Sequence, residues 1–246
     1  MANKKNDVDF YTNLWTKDWF DMERLNPTAR HLERIIVQLM KPLKIKTVLD
    51  AGCGIGVNVK NIKNNFKNLK ITGTDLSPQI LNLAKHYVGK NSRINYKTLD
   101  LGKKHLNKKF DLVLCSQVLE HVKDDKKAMK NLAKMSLKYL LITVPGGKYN
   151  NTSKLVGHYR HYSKKRILDL VKKNNFKILY VKEWGFPFHS LYKSALNLLS
   201  NEQKRKVGLG KYGFSKKSIA GLLYLLFYGN VFDKGDNVIV LAEKMK

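Results

Sequence analysis

Apolar and polar positions along this chain switch between two periods, and the switches mark out its elements. Short apolar or β-branched runs occur at Thr47–Asp50, Lys70–Asp75, Asn95–Asp100, Phe110–Ser116, Tyr139–Val144, Lys177–Trp184 and Asn237–Ala242. Continuous runs of this length, closed by acids, glycines or prolines, read as strands buried on both faces. Between them the apolar spacing becomes helical, roughly over Gly56–Asn65, Ser77–Tyr87, Asp124–Met135 and Ser163–Asn174. Ser77-Pro78 is a helix opening, a cap followed by proline in the first turn. Upstream, residues 8–41 read as helical. A stripe at Leu32, Ile35, Ile36, Leu39 and Met40 lies between Pro27 and Pro42, and an aromatic segment (Phe10, Tyr11, Trp15, Trp19, Phe20) precedes it. Alternating strands and helices predict an α/β fold, a mostly parallel sheet covered by helices on both faces.

The pattern loosens after Trp184. Leu191–Leu199 has helical spacing, Asn201–Lys206 is a polar break, and Gly208–Gly213 reads as loop. Ser218–Tyr228 is strongly apolar but shorter than the ~20 residues of a membrane span. Its first reading is a cover for the core or the acceptor pocket; a dimer face or an interfacial helix flanked by Lys216 and Lys217 are the alternatives. The whole is expected to be a single domain over 1–246. It divides into a helical cap (1–45), a ligand-binding core (46–184), an insertion covering the acceptor side (185–236) and a last strand (237–246).

Composition changes the picture in two ways. With 246 residues, 43% of them hydrophobic, the chain can build one substantial core. Its formal charge is +28, from 47 basic and 19 acidic residues, and only seven of the basic ones are arginine. Lysine richness is in part a matter of codon usage, but the excess of positive charge implies an anionic partner: an acidic small molecule, a membrane surface or nucleic acid. The N-terminus is polar with no apolar run behind it, and there are two cysteines, Cys53 and Cys115. Both features fit a cytoplasmic protein with reduced, packing thiols.

The richest chemistry lies at Asp50-Ala51-Gly52-Cys53-Gly54-Ile55-Gly56. A strand ends in an acid, and three alternate glycines let the backbone approach a ligand closely. A phosphate cradle favours a bare helix N-terminus, so a carboxylate at its lip suits a cationic or hydroxyl-rich ligand instead. The spacing also differs from the dinucleotide fingerprint, whose third glycine position is held here by Val57. Asp75 ends the next strand about 20 residues on, where α/β folds place a ribose-binding carboxylate. Asp100 ends a third, and Ser116-Gln117-Val118-Leu119-Glu120-His121-Val122 follows the fourth.

In this ordered set the chain resembles the class I S-adenosylmethionine-dependent methyltransferases with small-molecule acceptors, over about its first two-thirds. The resemblance implies a Rossmann-like, seven-stranded, mostly parallel sheet with an antiparallel last strand, and S-adenosyl-L-methionine as cofactor with S-adenosyl-L-homocysteine as product. It places Asp50 near the methionine amine, Gly52, Gly54 and Gly56 under the ligand, and Asp75 on the ribose hydroxyls. Leu76 and Leu101 fall beside the adenine, Asp100 on its amino group, and Ser116 and Gln117 at the methionine part. Tyr11 and Trp15 belong to a segment that closes over the cofactor in such relatives.

The acceptor side rests on Gly157-His158-Tyr159-Arg160-His161-Tyr162. Tyr159, Arg160 and Tyr162 are candidates for acceptor binding. His158, His161 and His121 are candidate general bases, since an imidazole titrates near neutrality. No contiguous zinc-type spacing occurs, so no metal is expected. The reading is methyl transfer to a small molecule, chiefly on oxygen, with an anionic, lipid-linked or glycan-linked acceptor suggested by the charge. The alternatives are an RNA methyltransferase and an inactive, cofactor-binding partner subunit.

Overall fold

The computed structural model describes residues 20–150, 153–154, 156–200, 202–203, 207 and 210–245. Seven strands form one sheet: β1 (Thr47–Ala51), β2 (Lys70–Asp75), β3 (Ile94–Thr98), β4 (Phe110–Ser116), β5 (Ser136–Pro145), β6 (Phe176–Trp184) and β7 (Asn237–Lys244), in the order β3-β2-β1-β4-β5-β7-β6. Strands β1 to β5 pair in parallel, while β7 runs antiparallel to both β5 and β6.

The helices are α1 (Phe20–Leu25), α2 (Pro27–Met40), α3 (Val57–Asn65), α4 (Pro78–Val88), α5 (Asp125–Met135), α6 (Lys164–Lys172), α7 (Phe188–Leu198) and α8 (Phe214–Leu226). Their ends follow local chemistry. Asn26 caps α2 by accepting from the Thr28 amide at 2.8 Å, and Ser77, Asp124 and Ser163 cap α4, α5 and α6 in the same way. Pro27 and Pro78 stand at first-turn positions, where a missing N–H costs nothing.

Strand residues alternate between two cores. Leu49, Val113, Leu140 and Val240 face α5 and α6 on one side. Val48, Leu112, Leu114, Leu141 and Ile239 face α2, α3 and α4 on the other. Burial on both faces explains why the strands read as unbroken apolar runs. Edge strand β3 is the exception; it is half-exposed and ends at Thr98, two residues before Asp100.

The order reverses between β1 and β4, whose chain neighbours lie on opposite sides. This opens a crevice at their C-terminal ends, the place where such sheets bind ligands. The last residues of β1 and β4 lead directly into Gly52–Gly56 and Ser116–Val122.

The apolar Ser218–Tyr228 run forms most of α8 and the short turn of 3-10 helix after it. One side docks on α2: the His31 imidazole meets the Tyr224 carbonyl at 2.8 Å, and Arg30 and Arg34 stack on the Tyr224 and Tyr228 rings. Phe227 is fully buried there, whereas Ile219, Leu222 and Leu225 face outward and are exposed. Among the described residues no helix is long and apolar enough to cross a membrane.

Candidate active site

Two adjoining cavities occupy the crevice. The first, about 410 Å³, is lined by Gly52, Gly54, Asp75, Leu76, Asp100 and Leu101, with Val118, His121 and Tyr159 among the residues on its far side. The second, about 330 Å³, runs from Ser116, Gln117 and His158 to a wall formed by Glu23, Asn26 and Glu33 of the α1–α2 region. Gly52, Gly54, Gln117 and His121 line both, so these four mark the junction.

The glycine turn makes that junction. Gly52 has φ of +83°, and a Cβ on it would run into the Val118 side chain. Gly56 has φ of +84°, with Val88 2.9 Å from where its Cβ would lie. Both positions need the left-handed region and the missing side chain. The turn is held from the next strand: the Gly54 amide donates to Asp75 Oδ2 at 3.1 Å, and the Ser77 amide to Asp75 Oδ1 at 3.1 Å. Asp100 is fixed by the Gly102 amide at 3.0 Å and paired with Lys103 at 3.3 Å. On β4, Ser116 Oγ lies 2.8 Å from Thr143 Oγ1, and Gln117 adopts φ of +56°, with its side-chain amide donating to the same hydroxyl at 3.2 Å.

Charge in the crevice opposes the charge of the chain. Asp50 is fully buried and neither of its carboxylate oxygens has a hydrogen-bond partner. Burial, reinforced by the charges of Asp75 and Glu23, pushes it up to about 7. Burial also raises Glu23 to about 7 and Glu33 to about 8, and it raises Asp75 against the pull of its amide donors. Four carboxylates thus converge on one crevice, each holding its proton above the ordinary range. A cation placed among them relieves both the desolvation and the mutual repulsion.

The acceptor-side histidines converge as well. The Tyr159 amide donates to the Glu120 carbonyl at 2.7 Å, which ties the 156–162 loop to the turn after β4. This brings the rings of His121 and His158 to 4.6 Å, edge to face, and His158 Nδ1 to 3.2 Å from His161 Nε2, which also meets Ser153 Oγ at 3.0 Å. Burial lowers His121 to about 4 and lowers His158 still further, so both imidazoles are neutral at pH 7. His161 lies behind them and lines neither cavity.

Several sequence expectations shift. Tyr162 is fully buried and its hydroxyl donates to Asp125 Oδ2 at 3.0 Å, so it is a core residue and not an acceptor contact. Arg160 is also spent internally, donating to the carbonyls of Leu119, Val122 and Lys123 and lying 3.8 Å from Asp125; it locks the turn that carries His121. Asp50 stands beneath the glycine turn and is absent from the walls of both cavities. Among the described residues, segment 185–236 contributes none to these walls; the described cover comes from α1 and α2. Tyr11 and Trp15 lie outside the described residues. Glu120 entered the sequence reading only as part of the Ser116–Val122 segment, and the wall residues Glu23 and Glu33 escaped it. Their one available signal was scarcity, since a chain with only 19 acids has few to spend on a cavity wall.

A parallel sheet of this order, reversing at a glycine turn beneath an acid and closed by an antiparallel β7, has the fold of the class I S-adenosylmethionine-dependent methyltransferases. Residues 49–138 match the family model described as a methyltransferase domain. Among curated proteins the chain is 30% identical over 144 residues to the ubiquinone biosynthesis O-methyltransferase of Coxiella burnetii, covering 54% of this chain and 55% of that protein. It is 28% identical over 85 residues to malonyl-[acyl-carrier protein] O-methyltransferase 1 of Ilyobacter polytropus, covering 35% and 32%. The chain thus spans about half the length, or less, of the curated relatives it matches. Among solved structures, phosphoethanolamine N-methyltransferase 2 of Haemonchus contortus, in complex with S-adenosyl-L-methionine, superposes with a TM-score of 0.66 at 19% identity, over 99% of this chain and 59% of that one. The N-methyltransferase NodS of Bradyrhizobium japonicum, in complex with S-adenosyl-L-homocysteine, does so with a TM-score of 0.59 at 13% identity, over 90% and 89%.

Proposed function

We propose that this protein is an S-adenosyl-L-methionine-dependent methyltransferase acting on a hydroxyl of a small molecule. The observation that carries this reading is a crevice walled by Asp75, Glu23 and Glu33, with Asp50 buried beneath it, in a chain of net charge +28. A ligand bearing both a sulfonium and an ammonium meets that need; a pyrophosphate does not.

The residues present fit such a cofactor. Asp75 offers an acceptor-only carboxylate to two ribose hydroxyls. Leu76 and Leu101 supply apolar contact for the adenine, and Asp100 an acceptor for its amino group. The Gly52–Gly56 turn admits the methionine end, with Ser116 and Gln117 opposite. Asp50, buried and unpartnered beneath the turn, attracts the ammonium by its field. The bound sulfonium supplies a methyl group already activated for in-line displacement. What remains for the protein is alignment, and holding a nucleophile in register can supply about 7–11 kcal/mol of barrier reduction.

Hydroxyl acceptors are favoured because the curated relatives carry O-methyltransferase names. His121 stands at the junction of the two cavities, with His158 beside it, so neutral imidazoles face the arriving hydroxyl and its proton. An anionic acceptor suits the excess of positive charge.

Incubating the protein with methyl-labelled cofactor and a panel of phenols, carboxylated metabolites and RNA tests this. Label in an oxygen-linked methyl of a small molecule is the expected result. Label confined to RNA, or none in any hydroxyl acceptor, overturns the reading.

A further inference from the structure

Glu120 is the most costly side chain in the crevice that the mechanism leaves unused. It is fully buried, and neither carboxylate oxygen has a hydrogen-bond partner. Arg160, the opposing charge nearest in kind, is already committed to three backbone carbonyls and Asp125. Burying a carboxylate that no other residue's donor meets is unfavourable. Protonating it would remove the charge but leave a buried hydroxyl with no acceptor. A cation placed at these oxygens would offset their burial.

Two imidazoles lie against the same point. Glu120, His121 and His158 each offer one donor atom, and the three atoms lie within 4.8 Å of one another. Donors around one transition ion with bonds of ~2.1 Å sit about 3–4 Å apart, so closure takes small side-chain rotations. His121 and His158 line the second cavity while Glu120 stands behind them, leaving the cavity side open. His158 Nδ1 is tied to His161 Nε2 at 3.2 Å, and Ser153 holds His161 in turn, the outer-shell support that orients a ligating histidine.

From this we infer that Glu120, His121 and His158 form a binding site for one divalent transition cation, of the zinc, manganese, iron or cobalt type. One carboxylate and two imidazoles suit these borderline ions, whereas calcium and magnesium prefer all-oxygen shells. The donors come from two loops far apart in the chain, which is why no contiguous spacing announced them and the sequence pointed to no metal. The net charge left on such a centre is positive and faces the acceptor cavity. With a cation bound, His121 and His158 would serve as ligands and not as bases; an acceptor hydroxyl on the open side would lose its proton to water more readily, leaving the oxygen pair free to attack. That role rests on the methyl-transfer reading; the binding itself does not.

The test is calorimetric titration of manganese, cobalt and zinc chlorides into chelator-stripped protein, with visible absorption of the cobalt form. Glu120→Gln and His158→Ala are the variants and exposed His86→Ala is the control. One equivalent should bind to the native chain and to the control. Loss of a direct ligand should weaken binding by more than the 10–100-fold typical of outer-shell changes. To separate misfolding from lost ligation, cofactor binding and circular dichroism are measured on each variant; His158→Ala, at the cavity wall, gives a second arm. No stoichiometric binding to the native chain, or equal binding in folded variants, overturns the site while leaving the cofactor reading intact. Failure to bind cofactor with metal still bound overturns the other reading instead.

Discussion

At the scale of single residues, Asp75 carries the most. It ties the glycine turn by the Gly54 amide and stands on the cavity wall beside Leu76. Asp75→Ala should reduce cofactor affinity at least about 100-fold, because two hydroxyls lose a shared acceptor worth roughly 1.5–3 kcal/mol each. Calorimetry measures this, and an unchanged affinity would remove the assignment. Gly52→Ala should abolish binding too, since the new methyl collides with Val118 and strains a φ of +83°. These residues were legible because their chemistry is local: a glycine at alternate positions and an acid at a strand end announce themselves. Asp50 was legible as an acid but not as a buried one. Its depth follows from β1 being an interior strand, paired on both sides, which no local pattern shows.

At the scale of elements, the 156–162 loop and the turn at 119–123 work as one piece. Arg160 joins them through three carbonyls, and its side chain is only 17% exposed. Arg160→Ala should lower unfolding free energy by about 2–4 kcal/mol, the range for losing charged hydrogen bonds from a largely buried site. Chemical denaturation gives that value. Turnover should fall with it, while cofactor affinity stays near native, because Asp75 and Asp100 lie on other elements. The six-residue motif around Arg160 was visible as a concentration of polar and aromatic groups. Which of them point outward was not. Tyr162 and Arg160 turn inward because Asp125 and the loop carbonyls need partners, and that demand comes from a segment some forty positions away in the chain. Elements with a clear period were read nearly to their ends. The longer β5 and the α1–α2 wall of the second cavity emerged only from packing.

At the scale of the whole molecule, a +28 chain has gathered acids at one crevice. Asp50 keeps its proton to higher pH in the folded chain than in the unfolded one. Its contribution therefore favours the fold at low pH and is lost as pH rises through about 7. A bound cation reverses the sign, because it prefers Asp50 ionised and the proton competes with it. Cofactor affinity should thus rise from pH 6 to pH 8, by at most about tenfold per pH unit for one linked proton, then level off. Binding at pH 7 should release protons, which calorimetry in buffers of different ionisation enthalpy detects. Net charge was legible from composition alone; the opposite local field was not, because it depends on the α1–α2 region folding over the end of β1.

The central claim is that this crevice binds a sulfonium cofactor. Titration of S-adenosyl-L-methionine into the purified chain at pH 8, beside NAD under the same conditions, tests it most directly. The account predicts one saturable site for S-adenosyl-L-methionine, lost in Asp75→Ala, and no binding of NAD. Binding of NAD alone, or of neither, would contradict it.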